Sequence, residues 1–352
     1  MPHPAPSTPS RQPLLSVVVP AYNEQDVLPE FHRRLATVLD SIPMDVEVLY
    51  VNDGSTDHTL NLLRAFQQED PRVTILDLSR NFGKELALTA GLDHASGDAV
   101  VVIDADLQDP PEVIPAFLAE WDHGYDVVYG RRVARDGETR LKRASAYVFY
   151  RLINAVSQIP IPRDTGDFRL LSRRAVESLR QLREQHRFMK GLFAWIGYGQ
   201  IAVPYHRDPR YAGQTKWNYW RLWNFALEGI TSFTIGPLKA ATYLGILTAL
   251  GAFGYVAFVI WRTLWYGDPV AGYPSMMVAI LFLGGVQLMT VGVMGEYLGR
   301  MFDESKHRPL YLLNALHPRG GYSTPLDRAA PYPREAAVSP SPQTIRSSPE
   351  RC

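Results

Sequence analysis

The chain has 352 residues, 46% of them apolar, and its 36 Lys and Arg balance 36 Asp and Glu to a formal net charge of zero. That length supports one large domain or two smaller ones with real cores, and the charge balance excludes a polymer binder working by bulk charge. The single cysteine is the final residue, Cys352, so an intrachain disulfide is excluded and nothing requires an oxidising compartment.

Residues 1–13 are rich in Pro and Ser and lack the apolar run of a secretory signal, so they read as a disordered leader. Strand and helix patterns then alternate to about residue 130. Strands are expected at 14–19, 46–51, 73–78, 99–103 and 126–129, with helices around 27–40, 57–68, 84–95 and 111–121 between them. This order predicts an α/β fold class with a doubly wound, mainly parallel, Rossmann-like sheet.

The loops that follow these strands carry the polar groups. In open α/β sheets the carboxyl edge is where ligands bind. After the first strand come Pro20, Tyr22 and Glu24, and after the second Asn52, Asp53 and Gly54. Asn-Asp-Gly alone would suggest a tight hairpin, but Ser55, Thr56 and Asp57 ahead of Leu60, Leu62 and Leu63 look like a cap opening a helix. On that edge Asp53 can accept hydrogen bonds from a base or a ribose. Lys84 follows the third strand and offers a point charge for phosphates. The fourth strand runs out at Asp104 and Asp106, one residue apart. Hard carboxylate oxygens on a rigid strand end can hold Mg²⁺ or Mn²⁺, and such an ion usually bridges to substrate phosphates.

After Gly130 the pattern turns helical and basic, with Arg131, Arg132, Arg135, Arg140, Lys142 and Arg143 ahead of an apolar stretch at 144–156. That stretch lies along an anionic membrane surface or forms a solvated helix on the domain edge. Residues 216–233 hold Trp217, Tyr219, Trp220, Trp223, Phe225 and Phe233, suited to the headgroup level or to core packing. Residues 240–261 and 274–295 carry no formal charge, and at about 1.5 Å per residue each reaches roughly the 30 Å of a bilayer core. Both are expected to be transmembrane helices. Lys239 on one side and Arg300, Lys306 and Arg308 on the other place both termini and the large domain in the cytoplasm. Residues 301–352 are expected to form a cytoplasmic, largely disordered tail, rich in Pro, Ser, Arg and Ala from 318 onward. Nine scattered histidines, with no Walker loop and no Gly-x-Gly-x-x-Gly turn, give no case for zinc, ATP hydrolysis or a dinucleotide.

Residues 17–24, 51–57, 81–84 and 104–112 together resemble the signatures of family 2 inverting glycosyltransferases with the GT-A fold. More narrowly they are similar to the membrane-anchored polyprenyl-phosphate group of bactoprenol glucosyltransferases and dolichol-phosphate mannose synthases, over roughly residues 14–310. The resemblance implies a cytoplasmic GT-A domain at 14–235 with juxtamembrane helices, followed by a membrane hairpin at 236–300. It assigns Pro20, Tyr22, Glu24 and Asp53 to the nucleoside, Asp104 to the sugar donor, and Asp106 with Gln108 to the metal beside the diphosphate. In Gly166-Asp167-Phe168-Arg169-Leu170 it makes Asp167 a base or an orienter, since a lipid monophosphate with a second pKa of about 6 is already largely anionic. Arg210 and Lys216 resemble a basic loop that closes near phosphate, and Arg132 faces the acceptor.

The expected activity is inverting transfer of one hexose, glucose first, from a UDP-sugar to undecaprenyl phosphate with Mg²⁺ or Mn²⁺. The expected partners are those two substrates and membrane lipid, with no nucleic acid, and family members can be homo-oligomeric. Alternatives are a GDP-mannose-dependent synthase, transfer of N-acetylhexosamine, galactose or an aminoarabinose derivative, and a non-catalytic scaffold or flipping partner. A processive synthase would carry a Gln-x-x-Arg-Trp element, which is absent.

Overall fold

The computed structural model describes residues 12–133, 165–206, 236–266 and 272–320. Most of the leader, the basic segment beyond residue 133 with the apolar stretch at 144–156, Arg210, Lys216, the aromatic run at 216–233 and the tail beyond 320 lie outside the described residues.

Strands β1 (Leu14–Ala21), β2 (Asp45–Asn52), β3 (Val73–Leu78) and β4 (Ala99–Val102) form where apolar, largely β-branched runs were expected. The helices between them are α1 (Leu28–Leu39), α2 (Thr59–Glu69) and α3 (Lys84–His94). In α1 the buried positions Leu28, Phe31, Leu35, Val38 and Leu39 recur at helical spacing, so one stripe faces the sheet. A short 3₁₀ turn and α4 (Ile114–Asp122) lead to β5 (Val127–Arg132). Then come β6 (Thr165–Ser172), α5 (Arg173–Gln181), α6 (Met189–Trp195) and β7 (Gln200–Tyr205).

With a last strand, β8 (Leu313–His317), the sheet runs β7-β5-β6-β4-β1-β2-β3-β8. Its two faces bury separate cores. Phe31, Leu63, Phe66 and Phe117 fill one, under α1, α2 and α4. Leu88, Val176, Leu192 and Phe193 fill the other, under α3, α5 and α6. Central strands covered on both faces explain the nearly unbroken apolar runs that made them legible. Strand order reverses between β1 and β4, which opens the crevice where such sheets bind ligands.

Two expectations are refined. The sheet is mainly parallel, as expected, but mixed: β6 runs antiparallel to both β4 and β5, and β8 runs antiparallel to β3. Strand β6 is not among the expected strands, although Asp167 and Arg169 alternate with Phe168 and Leu170 at strand spacing; both polar side chains are buried rather than solvated. The region after the hairpin is also not all tail, since Leu313–His317 form β8. A short strand with little apolar alternation gives no sequence signal. It is fixed by pairing, with the Asn314 amide donating to Asp77 at 2.8 Å while Asn52 donates to the other Asp77 oxygen at 2.7 Å. The catalytic-side domain therefore extends past residue 235 to include β8.

Between β7 and β8 the chain forms two long helices, α7 (Gly236–Tyr266) and α8 (Tyr273–Ser305). Among the described residues one helix, Ala241–Tyr266, is long and apolar enough to cross a membrane, with a mean hydropathy of 2.0. Helix α8 covers the second expected span as 33 helical residues. Its end rests on the domain, where Glu304 accepts the Gln185 amide at 2.9 Å and the Gln185 side chain donates to the Arg308 carbonyl.

Candidate active site

The register of β4 with β6 pairs Val102 with Arg169. Continued two residues further, it sets Asp104 opposite Asp167 at the ligand edge. Lys84, the first residue of α3, reaches between them, with Nζ 2.6 Å from Asp104 Oδ2 and 2.5 Å from Asp167 Oδ2. Residues from three separate stretches of chain thus meet in one charge cluster. The other oxygen of Asp167, Oδ1, is buried with no hydrogen-bond partner among the described residues.

The two carboxylates differ in character. Burial pushes Asp104 up; the Lys84 ammonium opposes this, the Asp167 charge adds to it, and the net shift is upward. Burial pushes Asp167 up as well, yet Lys84, Lys190 and Arg169 hold it well below the ordinary carboxylate range. Burial works against the Lys84 charge, but the two acids keep its ammonium well above the usual lysine value. Behind Asp167, Arg169 is buried against the Phe193 ring at 3.7 Å and donates to the Gly166 carbonyl at 3.0 Å. Burial pushes this guanidinium down to about 10, so it remains a cation at neutrality.

Asp53 supports the Lys84 loop. It is buried, and its two oxygens accept the Phe82 and Gly83 amides at 2.7 and 2.9 Å. In this structure it braces the turn into α3, the contact that its sequence position could not reveal. Gly54 beside it has φ of +64°, and a Cβ there would stand 2.4 Å from the Arg80 carbonyl carbon.

Pro20 is the penultimate residue of β1, and Tyr22 and Glu24 follow just beyond its end at Ala21. Their loop is stitched to the β2 loop: the Asn23 amide donates to Ser55 Oγ at 3.0 Å, Thr56 donates to Asn23 Oδ1 at 2.8 Å, and Glu24 donates to Thr59 Oγ1 at 2.9 Å. Asn23 itself takes a left-handed φ of 54°, a conformation asparagine tolerates.

Asp106 and Gln108 share a tight loop in which the Gln108 amide donates to Asp106 Oδ1 at 3.1 Å. Leu107 between them is buried with φ of 58°, a strained conformation for a bulky residue. Among the described residues no three His, Cys, Asp or Glu side chains are placed to hold a metal together. The donors on this edge are hard oxygens, one carboxylate and one amide carbonyl. That set fits Mg²⁺ or Mn²⁺, which take one or two protein carboxylates and complete their shell with phosphates and water.

On the far side of Asp167, Arg132 stands next to Gly166, where a Cβ would lie 2.9 Å from Nη2. It donates to the Tyr205 hydroxyl at 3.3 Å and pairs with the buried Asp109 at 3.6 Å, while Tyr205 donates to Asp109. Burial disfavours the Arg132 charge, but Asp109 and Tyr205 raise its pKa above the ordinary value. Asp109, Tyr205, Arg169 and Glu85 were not singled out from the sequence. Asp109 could have been suspected from its place in the loop after β4; the other three carry no signal of their own. Arg210 and Lys216 lie outside the described residues.

The model of glycosyl transferase family 2 matches residues 16–180, and that of the GtrB C-terminal hairpin matches residues 236–301. An uncharacterized glycosyltransferase of Synechocystis sp. is 54% identical over 302 residues, covering 86% of this chain and 95% of that protein. The bactoprenol glucosyl transferase of Shigella phage SfV is 50% identical over 299 residues, covering 85% of this chain and 97% of the relative. Among solved structures, a mannosyltransferase of Pyrobaculum calidifontis, in complex with GDP-Man and Mn²⁺, aligns over 80% of this chain and 88% of its own, at 20% identity and a TM-score of 0.44. On the strength of the two family models and the two relatives, the chain belongs to glycosyl transferase family 2, in the group that carries a GtrB-type C-terminal hairpin.

Proposed function

We propose that this glycosyltransferase moves a single glucose from UDP-glucose to a polyprenyl phosphate, undecaprenyl phosphate in a bacterial membrane, with inversion at the anomeric carbon. The observation that carries this reading is the Lys84 ammonium held between Asp104 and Asp167 at the sheet's switch point, a cation poised where a diphosphate would arrive. Relatives named bactoprenol glucosyl transferase, near half identical over most of this chain, favour glucose and the lipid acceptor.

Asp106 and Gln108 would hold Mg²⁺ or Mn²⁺, which supplies positive charge for the leaving diphosphate. With its side chain 44% exposed, Lys84 can turn toward the donor's phosphates while staying near the acids. Pro20, Tyr22, Glu24 and Asp53 form the nucleoside end, and Asp104 the sugar end. Arg132, with Arg210 and Lys216, receives the acceptor phosphate; a fork of five donors suits it. Asp167 is a weak proton acceptor in this setting because its charge is so well stabilised. Its role is to orient and to balance charge, since the acceptor is anionic without help.

Helices α7 and α8 span the membrane as a hairpin, with the catalytic domain and both termini on the cytoplasmic face. The test is to incubate the full chain with undecaprenyl phosphate and a panel of UDP- and GDP-sugars, with and without Mg²⁺ or Mn²⁺, and to weigh the lipid product. A glucosyl lipid formed from UDP-glucose only when metal is present is expected. No glycosyl lipid from any donor would overturn the proposal.

A further inference from the structure

Glu85 is a half-buried acid beside the reacting cluster to which the proposed chemistry gives no task. It follows Lys84 on the first turn of α3, and its Oε2 accepts the Met189 amide, the first of α6, at 3.1 Å. Such amides have no partner inside their own helix, so this contact joins the start of α3 to the start of α6. The same turn carries the Lys84 ammonium to Asp104 and Asp167.

The charged groups facing Glu85 come from every element around it. Lys84 lies on α3, Asp167 and Arg169 on β6, Arg187 just before α6 and Lys190 on it. Two of these neighbours have unmet bonding capacity among the described residues, Asp167 at Oδ1 and Arg187 at Nε. The cluster is therefore sensitive to a change of one charge at its wall, because low local polarity strengthens each interaction.

We propose that Glu85 is a positioning residue for glycosyl transfer, tying α3 to α6 so that Lys84 stays shared between Asp104 and Asp167, and altering that sharing when its own charge changes. The inference rests on the function proposed above. Burial and the Asp167 charge together raise the Glu85 carboxyl to about 7. Its ionisation thus falls in the neutral range, and the ionised form competes with Asp167 for the Lys84 ammonium.

The experiment compares wild type, Glu85→Gln and Glu85→Ala as full chains in the same detergent or nanodisc, with kcat and KM for donor followed across roughly pH 6 to 8. Gln keeps an acceptor for the Met189 amide and cannot ionise. It should keep KM within about twofold and lose the pH dependence of kcat seen in wild type. Ala also loses the tie, and kcat should fall about ten- to a hundredfold, the scale of a misplaced reacting group. A second readout is the number of protons exchanged when UDP and Mg²⁺ bind, measured by calorimetry in buffers of different ionisation heat; it should differ between wild type and Glu85→Gln. An unchanged pH profile and proton count in Glu85→Gln would overturn the inference, as would Glu85→Ala with a lower Tm and normal kcat. Wild type that makes no glycosyl lipid at all would instead sink the proposed function.

Discussion

Lys84 Nζ lies 2.5 Å from Asp167 Oδ2, although 83 residues separate the two along the chain. Replacing Lys84 by Met leaves Asp104 and Asp167 facing each other without their shared cation. Transfer should fall by about 10²- to 10³-fold, as for loss of one preorganised electrostatic group. The Tm of Lys84→Met should also drop, and adding Asp167→Asn should restore it without restoring transfer. Thermal melts beside product mass spectrometry check both.

Asp106→Ala should abolish metal-dependent transfer and leave the circular dichroism spectrum and membrane insertion unchanged, because Asp106 stands on a loop outside the two cores. Titrating Mn²⁺ into wild type and variant by calorimetry in the presence of UDP provides the measurement. Full activity in the variant would remove Asp106 from the metal site.

Tyr205→Phe deletes the hydroxyl that donates to Asp109 and accepts from Arg132. One net hydrogen bond is worth about 0.5–1.5 kcal/mol, so KM for polyprenyl phosphate should rise about 2- to 10-fold while KM for the nucleotide sugar stays put. Steady-state kinetics with each substrate varied in turn separates the two.

Gly54→Ala brings a methyl within 2.5 Å of the Asn81 amide nitrogen, in a backbone conformation that favours glycine. The Arg80–Asn81 backbone must move, and with it the Phe82 and Gly83 amides that Asp53 holds. Weaker UDP binding by calorimetry, together with a lower Tm, is the expected pair of results.

Glu85 also predicts how stability varies with pH. An acid whose folded pKa lies above its unfolded value binds its proton more tightly when folded. The stability it contributes is full below 4.5 and is lost as pH rises through about 7. Glu85→Gln cannot ionise, so its Tm should gain on wild type between pH 5 and 8, a difference read by thermal shift at about one-unit intervals.

Strands β1 to β4 were legible because buried strands demand runs such as Val100, Val101 and Val102, and the site loops were legible because they follow those strands. What the sequence hides is what folding brings together. Tyr205 meets Asp109 across 96 residues, and nothing near either marks the other. In β6 the alternation of Asp167 and Arg169 with Phe168 and Leu170 suits a strand with one solvated face, and only the fold shows that both polar side chains are buried. Leu107 looks like an ordinary apolar residue, and only its left-handed backbone shows that the loop between Asp106 and Gln108 is strained.

Strand β8 is synthesised after both long helices, yet it covers the β3 edge of the sheet. A ribosome must therefore finish the hairpin before the globular part can close its last row of backbone hydrogen bonds. Until then β3 offers an open edge, the kind of surface that recruits stray strands. Formation of the hairpin and completion of the enzyme are thus consecutive events of one biosynthesis, and a chain stalled in the hairpin would be left with a sheet that cannot finish itself.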